Sequence, residues 1–217
     1  MKKYIILVLI SLIASINLQA YSYAAAGKEP TIDSREGILG AINSDNFVLA
    51  KEILEKNKDN YLYLTKEFNE KLFSSLESSI LEKDKQKINK WLDVSIATEI
   101  QRRLDGGLKN IDNFNIAKVM LAKADKFYKL LSVSLDKELD KKLKEALFQC
   151  MDSIGNPGLF GVGAKPVNKE KYIEETINTV LAQTFQDFEI IVVNDGSKDS
   201  GVNVVESIKD NRIHLIH

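Results

Sequence analysis

The sequence has few of the residue types that build covalent cross-links, metal sites or sharp breaks. Cys150 is its single cysteine, which excludes an intramolecular disulfide and a cysteine zinc cluster. Both histidines, His214 and His217, stand at the C-terminal end, so most of the chain has no imidazole for catalysis or metal binding. No proline lies between Pro30 and Pro157. With 30 basic and 31 acidic residues the net charge is −1, and this balance argues against a nucleic-acid partner.

The long proline-free stretch has the apolar periodicity of α-helices. Apolar side chains recur every four residues in three runs, so each run would line one face of a helix. Clusters of Gly, Asn and Asp predict breaks between the helices. The runs are Phe68/Leu72/Leu76/Ile80, Ile88/Leu92/Ile96/Ile100/Leu104 and Leu135/Leu139/Leu143/Leu147, and the breaks are 43–45, 57–60, 105–107 and 110–113. We therefore predict a bundle of five or six helices, within a domain of residues 27–165.

Each residue of this bundle that could carry chemistry also has a structural interpretation, which we favour. Cys150 fits a buried structural thiol better than a reactive one. Trp91 adjoins an apolar stripe and is expected in the core rather than in a ligand platform. Arg102 and Arg103 could grip an anion, but two exposed arginines near a helix end more often complement the helix dipole. The acidic residues stand among lysines, so we expect solvated faces rather than a carboxylate metal site.

The N-terminal 26 residues have the pattern of a secretory signal peptide. Lys2 and Lys3 precede an apolar stretch at 4–16, and small residues at Ala24 and Ala26 fit a cleavage site. A transmembrane anchor is the alternative, but the apolar stretch is shorter than the ~20 residues that a spanning helix needs. We predict export to the periplasm or the extracellular space, with membrane contact only through this segment if it stays uncleaved.

A glycine-rich segment, residues 153–163, follows the helical stretch. Its Gly158-x-x-x-x-Gly163 spacing suggests a phosphate loop, but the lysine and hydroxyl residue that such a loop needs are misplaced, so a linker is favoured. Leu159, Phe160 and Val162 predict that this linker packs against the bundle. The domain boundary is set at about residue 165.

The C-terminal part contains the most informative pattern of the chain. Ile190–Val193 are four consecutive apolar residues, which predicts a strand buried on both faces. A polar turn, Asn194 to Ser197, follows at the strand end where open α/β sheets bind ligands. Alternatively, Asp195 and Ser197 form only a turn that caps a helix over residues 199–208.

An ordered set of motifs makes residues 166–217 resemble the opening of an inverting family 2 glycosyltransferase with the GT-A fold. A first helix, a Leu-x-Gln-Thr helix end, a strand with its Asp-Gly-Ser turn and a third strand follow one another as in that family. They correspond to 168–177, 180–185, 187–197 and 211–216. The family's first strand is represented only by Pro166, Val167 and Asn168, without its tyrosine. The fold class expected is mainly α, a helical bundle followed by a partial, Rossmann-like α/β segment.

The resemblance implies a nucleotide contact and leaves the catalytic residues unassigned. In the family, the carboxylate at the position of Asp195 hydrogen-bonds the nucleotide base, usually uracil, and the preceding position, here Asn194, is commonly a second Asp. The family's Asp-x-Asp metal site, acceptor-binding half and catalytic base would lie beyond residue 217. We therefore assign no catalytic residue and no metal ligand, and Mg²⁺ or Mn²⁺ is expected only for a complete family member. Whether the chain is an enzyme stays open.

Two interpretations of the whole chain remain. In the first, it is a truncated, catalytically incomplete family 2 relative that binds a UDP-sugar weakly. In the second, it is an exported, non-enzymatic helical binding module, and residues 166–217 are a passenger. A cytoplasmic nucleotide-sugar donor conflicts with export. This conflict suggests that a gene rearrangement or an assembly error joined two unrelated coding segments.

Overall fold

The computed structural model describes residues 29–182, 186, 188–194, 196–197 and 199–217. The predicted signal peptide lies outside the described residues. The elements in chain order are α1 (Pro30–Asn43), α2 (Phe47–Lys56), α3 (Lys58–Glu67), α4 (Leu72–Leu81), α5 (Lys85–Lys109), α6 (Phe114–Leu131), a 3₁₀ turn (Ser132–Ser134), α7 (Lys137–Ser153), α8 (Lys169–Leu181), β1 (Ile190–Val193), α9 (Gly201–Ser207) and β2 (Ile213–Ile216). The prediction of a mainly α chain with a small α/β segment is confirmed.

Short polar side chains, rather than prolines, set the starts of most helices. The side chains of Asn46, Asp84, Asn113, Asp136 and Asn168 each accept a hydrogen bond from a backbone N–H in the first turn of the helix that follows. Such caps satisfy donors that the helix itself cannot pair, and each stabilises by about 1 kcal/mol. A nearly proline-free sequence can therefore still form sharply separated helices.

Two hydrophobic cores stack along the long helix α5. The N-terminal core lies among α1 to α5 and contains Ile88 and Leu92. The C-terminal core lies among α5 to α8 with Ile32 of α1, and contains Ile96, Ile100 and Leu104. All five residues of this predicted stripe are buried, as the four-residue spacing requires. Cys150 is also buried in the C-terminal core, and Trp91 packs partly buried against the N-terminal one.

The predicted helix break at residues 105–107 is wrong, because α5 continues to Lys109. The two glycines serve close packing instead. A Cβ on Gly107 would collide with the hydroxyl group of Tyr172 on α8, and one on Gly106 would lie 3.3 Å from Met120 Sδ on α6. Helix α5 therefore presents a flat surface that α6 and α8 can approach closely. Seven α-helices, rather than five or six, lie between Pro30 and Ser153 in the described part of the chain.

Arg102 and Arg103 are not an exposed pair near a helix end. The Arg103 guanidinium is buried: its Nη2 lies 2.6 Å from Glu29 Oε2 and 3.6 Å from Glu99 Oε2. Arg102 Nε lies 3.1 Å from Glu99 Oε2, and Lys123 Nζ lies 3.1 Å from Glu29 Oε1. We call these five residues the ion cluster. Both of its carboxylates, Glu29 and Glu99, are buried, so the expectation of acidic residues only on solvated faces does not hold here.

The strands β1 and β2 pair in parallel, with Ile190 opposite Ile213 and Val193 opposite Ile216. Burial alternates along both strands, so the described part of the chain covers one face of this sheet. Ile191 and Val193 point to the other face and are exposed. The strand position predicted from the sequence is confirmed, whereas burial on both faces is not.

No helix in the described ranges is long and apolar enough to cross a membrane. The glycine-rich segment after α7 forms a β-hairpin rather than a strand of the sheet. Leu159, Phe160 and Val162 are exposed, so the prediction that they pack against the bundle is wrong. The physical reason is the hairpin itself, whose backbone pairing directs these side chains into solvent.

Candidate nucleotide-binding turn

The predicted site lies where both parallel strands end. The backbone N–H of Asn194, the residue after β1, donates to the carbonyl oxygen of Ile216 at 2.7 Å, which extends the pairing to the last residue of β2. The Asn194 Nδ2 atom lies 3.2 Å from Nδ1 of His217. The parallel register therefore brings the polar residue that follows each strand to one edge of the sheet.

The Asn194 side chain holds the turn that follows β1. Its Oδ1 accepts a hydrogen bond from the backbone N–H of Ser197 at 2.9 Å, the geometry of an Asx turn. Gly196 has a φ of +72°, a conformation that favours glycine. Both ends of the Asn194 amide thus have partners within the chain. Asp195, the predicted contact to the nucleotide base, lies outside the described residues.

Helix α9 starts just after this turn and connects it to α8. The predicted helix over 199–208 is observed as Gly201–Ser207. Its start is held by Asp199, whose Oδ1 accepts from the backbone N–H of Gly201 at 3.1 Å. The hydroxyl group of Ser200 donates to Glu170 Oε1 on α8 at 2.5 Å, which lowers the pKa of that carboxyl. The turn is therefore tied to α8 as well as to the sheet.

Arg212 fixes the opposite edge of the sheet, where both strands begin. It forms two bonds to Asp210, from Nε at 2.9 Å and Nη2 at 2.7 Å, and donates from Nη1 to Gln186 Oε1 at 2.6 Å. Its guanidinium carbon lies 4.8 Å from the ring centroid of Phe188. The bonds from Arg212 lower the pKa of Asp210 to about 2. Arg212 was not predicted from the sequence, although the Asp-x-Arg spacing before a strand was visible.

A cavity of about 860 Å³ lies beside Arg212, between α7, α8 and the start of β2. Its walls carry both signs of charge, with Glu138, Glu175 and Lys142 among them. Burial raises the pKa of Glu175. Because Arg212 precedes β2, this cavity lies at the strand starts and not at the Asn194 turn.

In the described ranges no group of three or more His, Cys, Asp or Glu side chains could hold a metal ion. The divalent ion implied by the resemblance therefore has no donor set among these residues.

The fold and the turn place residues 190–216 in a structural class of α/β proteins. A strand, a helix and a second strand parallel to the first form a β–α–β unit, and a polar turn stands at the carboxyl end of its first strand. Residues 190–216 thus have the local architecture of α/β proteins that bind ligands at the carboxyl ends of their strands.

Comparison with known proteins then identifies the family that this segment resembles. Residues 167–217 match the family "Glycosyl transferase family 2". The segment is therefore glycosyltransferase family 2-like, which confirms the resemblance read from its motifs.

Curated relatives support the same assignment over short alignments. An uncharacterized glycosyltransferase of Haemophilus influenzae is 45% identical over 51 residues, which are 23% of this chain and 16% of the relative. Glycosyltransferase EpsJ of Bacillus subtilis, also uncharacterized, is 46% identical over 52 residues, 23% of this chain and 15% of the relative. An uncharacterized glycosyltransferase of Rickettsia conorii is 62% identical over 34 residues, 16% of this chain and 6% of the relative. The chain thus spans less than a fifth of these relatives, and no solved structure matches it.

Proposed function

We propose that residues 167–217 bind the nucleotide part of a nucleotide-sugar, as the nucleotide-binding half of a family 2-like glycosyltransferase. The observation that carries the proposal is the position of the Asn194 turn. It follows β1 at the carboxyl ends of a parallel pair, where α/β sheets bind ligands, and it belongs to the segment that matches the family.

Within this turn the two predicted site residues have different roles. Asn194 is a positioning residue, because its amide is bonded to Ser197 and lies beside His217. Asp195 is the residue that contacts the ligand, accepting a hydrogen bond from the ring N–H of a uracil base. A charged acceptor strengthens such a bond and selects bases that present an N–H. A nucleoside diphosphate is the part of the donor that this segment would recognise.

Calorimetric titration of the full-length chain with UDP tests the proposal. We expect weak binding, with a dissociation constant of ~0.1–1 mM, equivalent to about 4–5.5 kcal/mol. Asp195→Asn should weaken it at least ~10-fold, because a hydrogen bond to a charged acceptor contributes about 1.5–3 kcal/mol.

Asp59→Asn is the matched control, since Asp59 is an exposed residue of α3, in the helical part of the chain. It should leave the titration unchanged. Absence of measurable heat with the unsubstituted chain at ~10 mM UDP, well above the expected dissociation constant, would contradict the proposal.

The second candidate is an exported helical binding module. It is favoured by the extent of the helical part, whose described residues form two cores from α1 to α8 without any strand. A folded chain that does not respond to UDP is the result expected from this candidate. In this candidate the passenger begins only after α8, because α8 of the family 2-like segment is part of the C-terminal core through Tyr172.

Export is a proposal that rests on the sequence of residues 1–26. The two lysines, the apolar stretch and the small residues that follow support it. Intact mass of the chain recovered from an expressing bacterium tests it. Loss of the first 24 or 26 residues is expected, and recovery of the unprocessed chain from the cytoplasm is the opposite result.

A further inference from the structure

The hairpin after α7 is a preformed structure. We call residues 156–165 the hairpin, Leu159 to Val162 its tip and Asn156 with Lys165 its foot. Backbone bonds join Asn156 and Lys165 in both directions, at 2.8 and 2.9 Å, and Leu159 and Val162 in both directions, at 3.0 and 3.1 Å. Between the inner pair only Phe160 and Gly161 remain, with φ angles of +51° and +83°. Two positive φ angles define a type I′ turn.

Side chains and glycines fix the shape of the hairpin. The Oδ1 atom of Asn156 accepts from the backbone N–H of Gly158 at 2.9 Å. A Cβ on Gly158 would lie 2.5 Å from the carbonyl oxygen of Val162, so the two strands approach as closely as glycine allows. At the foot, Asp152 on α7 pairs with both Lys165 and Lys171. The hairpin therefore needs little further ordering when it binds a partner.

The tip presents apolar side chains to solvent. Leu159, Phe160 and Val162 are 76%, 99% and 80% exposed. Phe160 also occupies a left-handed position, which is unfavourable for a bulky residue and is usually taken by Asn or Asp in such turns. The benzyl group of Phe160 is thus almost fully exposed to water on a strained backbone. An outlier of this kind points to a role in binding.

A cavity of about 410 Å³ lies at the foot of the same hairpin. Its apolar wall is formed by Phe148 and Met151 on α7, and the rest of its lining is Asp152, Gly155, Asn156, Gly163 and Lys165. It is an open depression rather than an enclosed cavity, and Phe148 and Met151 form the part of its wall against which a phenyl ring can pack. The ring of Phe160 in the same chain cannot enter it, because four residues of extended chain, roughly 13 Å, separate the tip from the foot.

We propose that the hairpin tip of one chain inserts into the foot cavity of a second copy, and that the second copy returns the contact in a two-fold dimer. Each chain carries both the apolar tip and the cavity beside it, so a two-fold axis satisfies both at once and closes the assembly. Chain contacts made in only one direction would leave one tip and one cavity empty.

The apolar area is sufficient for such a dimer. Phe148 is 64% exposed, so each copy offers two phenyl rings. A buried aromatic side chain removes roughly 150–250 Å² from water, and because Phe148 is already partly buried the four rings of a pair supply ~500–800 Å². Leu159 and Val162 bring the total to about the 1,000 Å² that a specific interface needs.

Charge and shape favour a second copy over a lipid surface. Loops and helices that bind anionic bilayers combine apolar side chains with a surplus of basic ones. At the foot of this hairpin Lys165 and Lys171 share the carboxylate of Asp152, which leaves one net positive charge from these three residues, whereas anionic-lipid sites typically cluster about four to eight basic residues. A fixed tip also suits a fixed cavity, whereas a bilayer requires no particular shape.

Molecular mass by sedimentation equilibrium tests the dimer in the full-length chain. We expect a concentration-dependent dimer for the unsubstituted chain and a dissociation constant raised at least ~100-fold by Phe160→Asn. Asn-Gly is the preferred type I′ pair, so this substitution keeps the hairpin while it removes the ring. An unsubstituted chain that stays monomeric, or a Phe160→Asn chain that associates equally well, overturns the proposal.

Two valines of nearly equal exposure provide the matched control. Val162 on the tip is 80% exposed, and Val133 in the 3₁₀ turn after α6 is 83% exposed. Val162→Asp should give a monomer, and Val133→Asp should leave the dimer unchanged. Equal effects of both substitutions would show that surface apolarity in general, rather than the hairpin, drives association.

Disulfide capture distinguishes the proposed contact from others. Cys150 is buried, and burial raises the pKa of its thiol to about 12, so the native cysteine should form few disulfides in this experiment. An equimolar mixture of Leu159→Cys and Met151→Cys chains should form a mixed disulfide dimer on oxidation. A disulfide formed only between two Leu159→Cys chains would replace the proposed contact with tip-to-tip packing. Flotation of a monomeric chain with anionic vesicles would assign the tip to a lipid surface instead.

Discussion

Glu99→Gln should lower the free energy of unfolding by about 3–5 kcal/mol, because it removes one partner from a buried group of charges. Glu99 is fully buried, and its Oε1 accepts from the hydroxyl group of Thr31 on α1 at 2.6 Å. Its Oε2 faces Arg102 and Arg103 at 3.1 and 3.6 Å. Glutamine keeps the shape, and its carbonyl oxygen can keep the bond to Thr31, but its amide N–H₂ group then faces the two arginines, so the loss reports the missing charge together with this donor–donor contact.

The ion cluster explains why this effect should be large. Burying a guanidinium costs several kcal/mol unless nearby carboxylates compensate it. Without Glu99, the buried Arg103 would keep Glu29 as its carboxylate partner and Arg102 as a repulsive neighbour. Burial lowers the pKa of Arg103 most, and the positive charge of Arg102 lowers it further. The favourable and unfavourable charges in the cluster would no longer balance.

Denaturant unfolding of Glu99→Gln beside Glu138→Gln measures the effect. Glu138 is 78% exposed and pairs with Lys142 one turn along α7, with Oε1 and Nζ 2.7 Å apart. Such an exposed pair contributes only ~0.3–0.5 kcal/mol. If the two substitutions lower the free energy of unfolding equally, the ion cluster is effectively hydrated and its burial does not make Glu99 more important than an exposed carboxylate.

The cluster also shows what sequence periodicity can and cannot predict. The stripe from Ile88 to Leu104 was predicted correctly because every contact that defines a helix face lies within four residues. The burial of Arg103 was missed because its partner, Glu29, is 74 residues away in the sequence. Nothing in the local pattern around Arg102 and Arg103 distinguishes a buried pair from an exposed one.

Glycine posed a related ambiguity, since it both permits turns and permits close packing. In the hairpin, Gly158 and Gly161 occupy positive φ angles, which is the use of glycine that favoured a linker over residues 153–163. In α5, Gly106 and Gly107 are helical, and the same residue type was misread as a break. Only the neighbouring helices, which are remote in sequence, decide between the two uses.

The position of the candidate site could be predicted from the sequence, but its hydrogen bonds could not. The strand at 190–193 and the turn at Asn194 followed from an apolar run and a family resemblance. The bonding of Asn194 within the turn required coordinates, because its partners are a backbone N–H and His217, 23 residues later. Arg212 was missed because two of its three partners, Gln186 and Phe188, are remote in sequence and meet it only in the folded chain.

Gly107→Ala should destabilise the chain by about 1–3 kcal/mol, although alanine normally favours a helix, because the added methyl group overfills the contact between α5 and α8. Tyr172 is fully buried, and its hydroxyl group donates to the carbonyl oxygen of Leu104 at 3.1 Å. A Cβ on Gly107 would collide with that hydroxyl group and approach the ring carbon that bears it to 3.1 Å. Burial raises the pKa of Tyr172, so its hydroxyl group stays protonated and remains the donor to Leu104.

Gly40→Ala is the matched control, since nothing lies within 4 Å of a Cβ at this position of α1. It should stabilise by about 0.5–1 kcal/mol, the ordinary helix preference of alanine.

A double-mutant cycle that combines Gly107→Ala with Tyr172→Phe isolates the contact. Removing the hydroxyl group costs about 1 kcal/mol in the parent chain, but it should cost less, or even stabilise, in the Gly107→Ala chain, because it also removes the collision. Unfolding of the four chains in denaturant gives the coupling energy, which we expect to be at least ~0.5 kcal/mol in the direction of rescue. Strict additivity would mean that α8 does not pack on α5 in solution. In that case the first helix of the family 2-like segment would not be part of the C-terminal core, and the passenger interpretation of residues 166–217 would regain support.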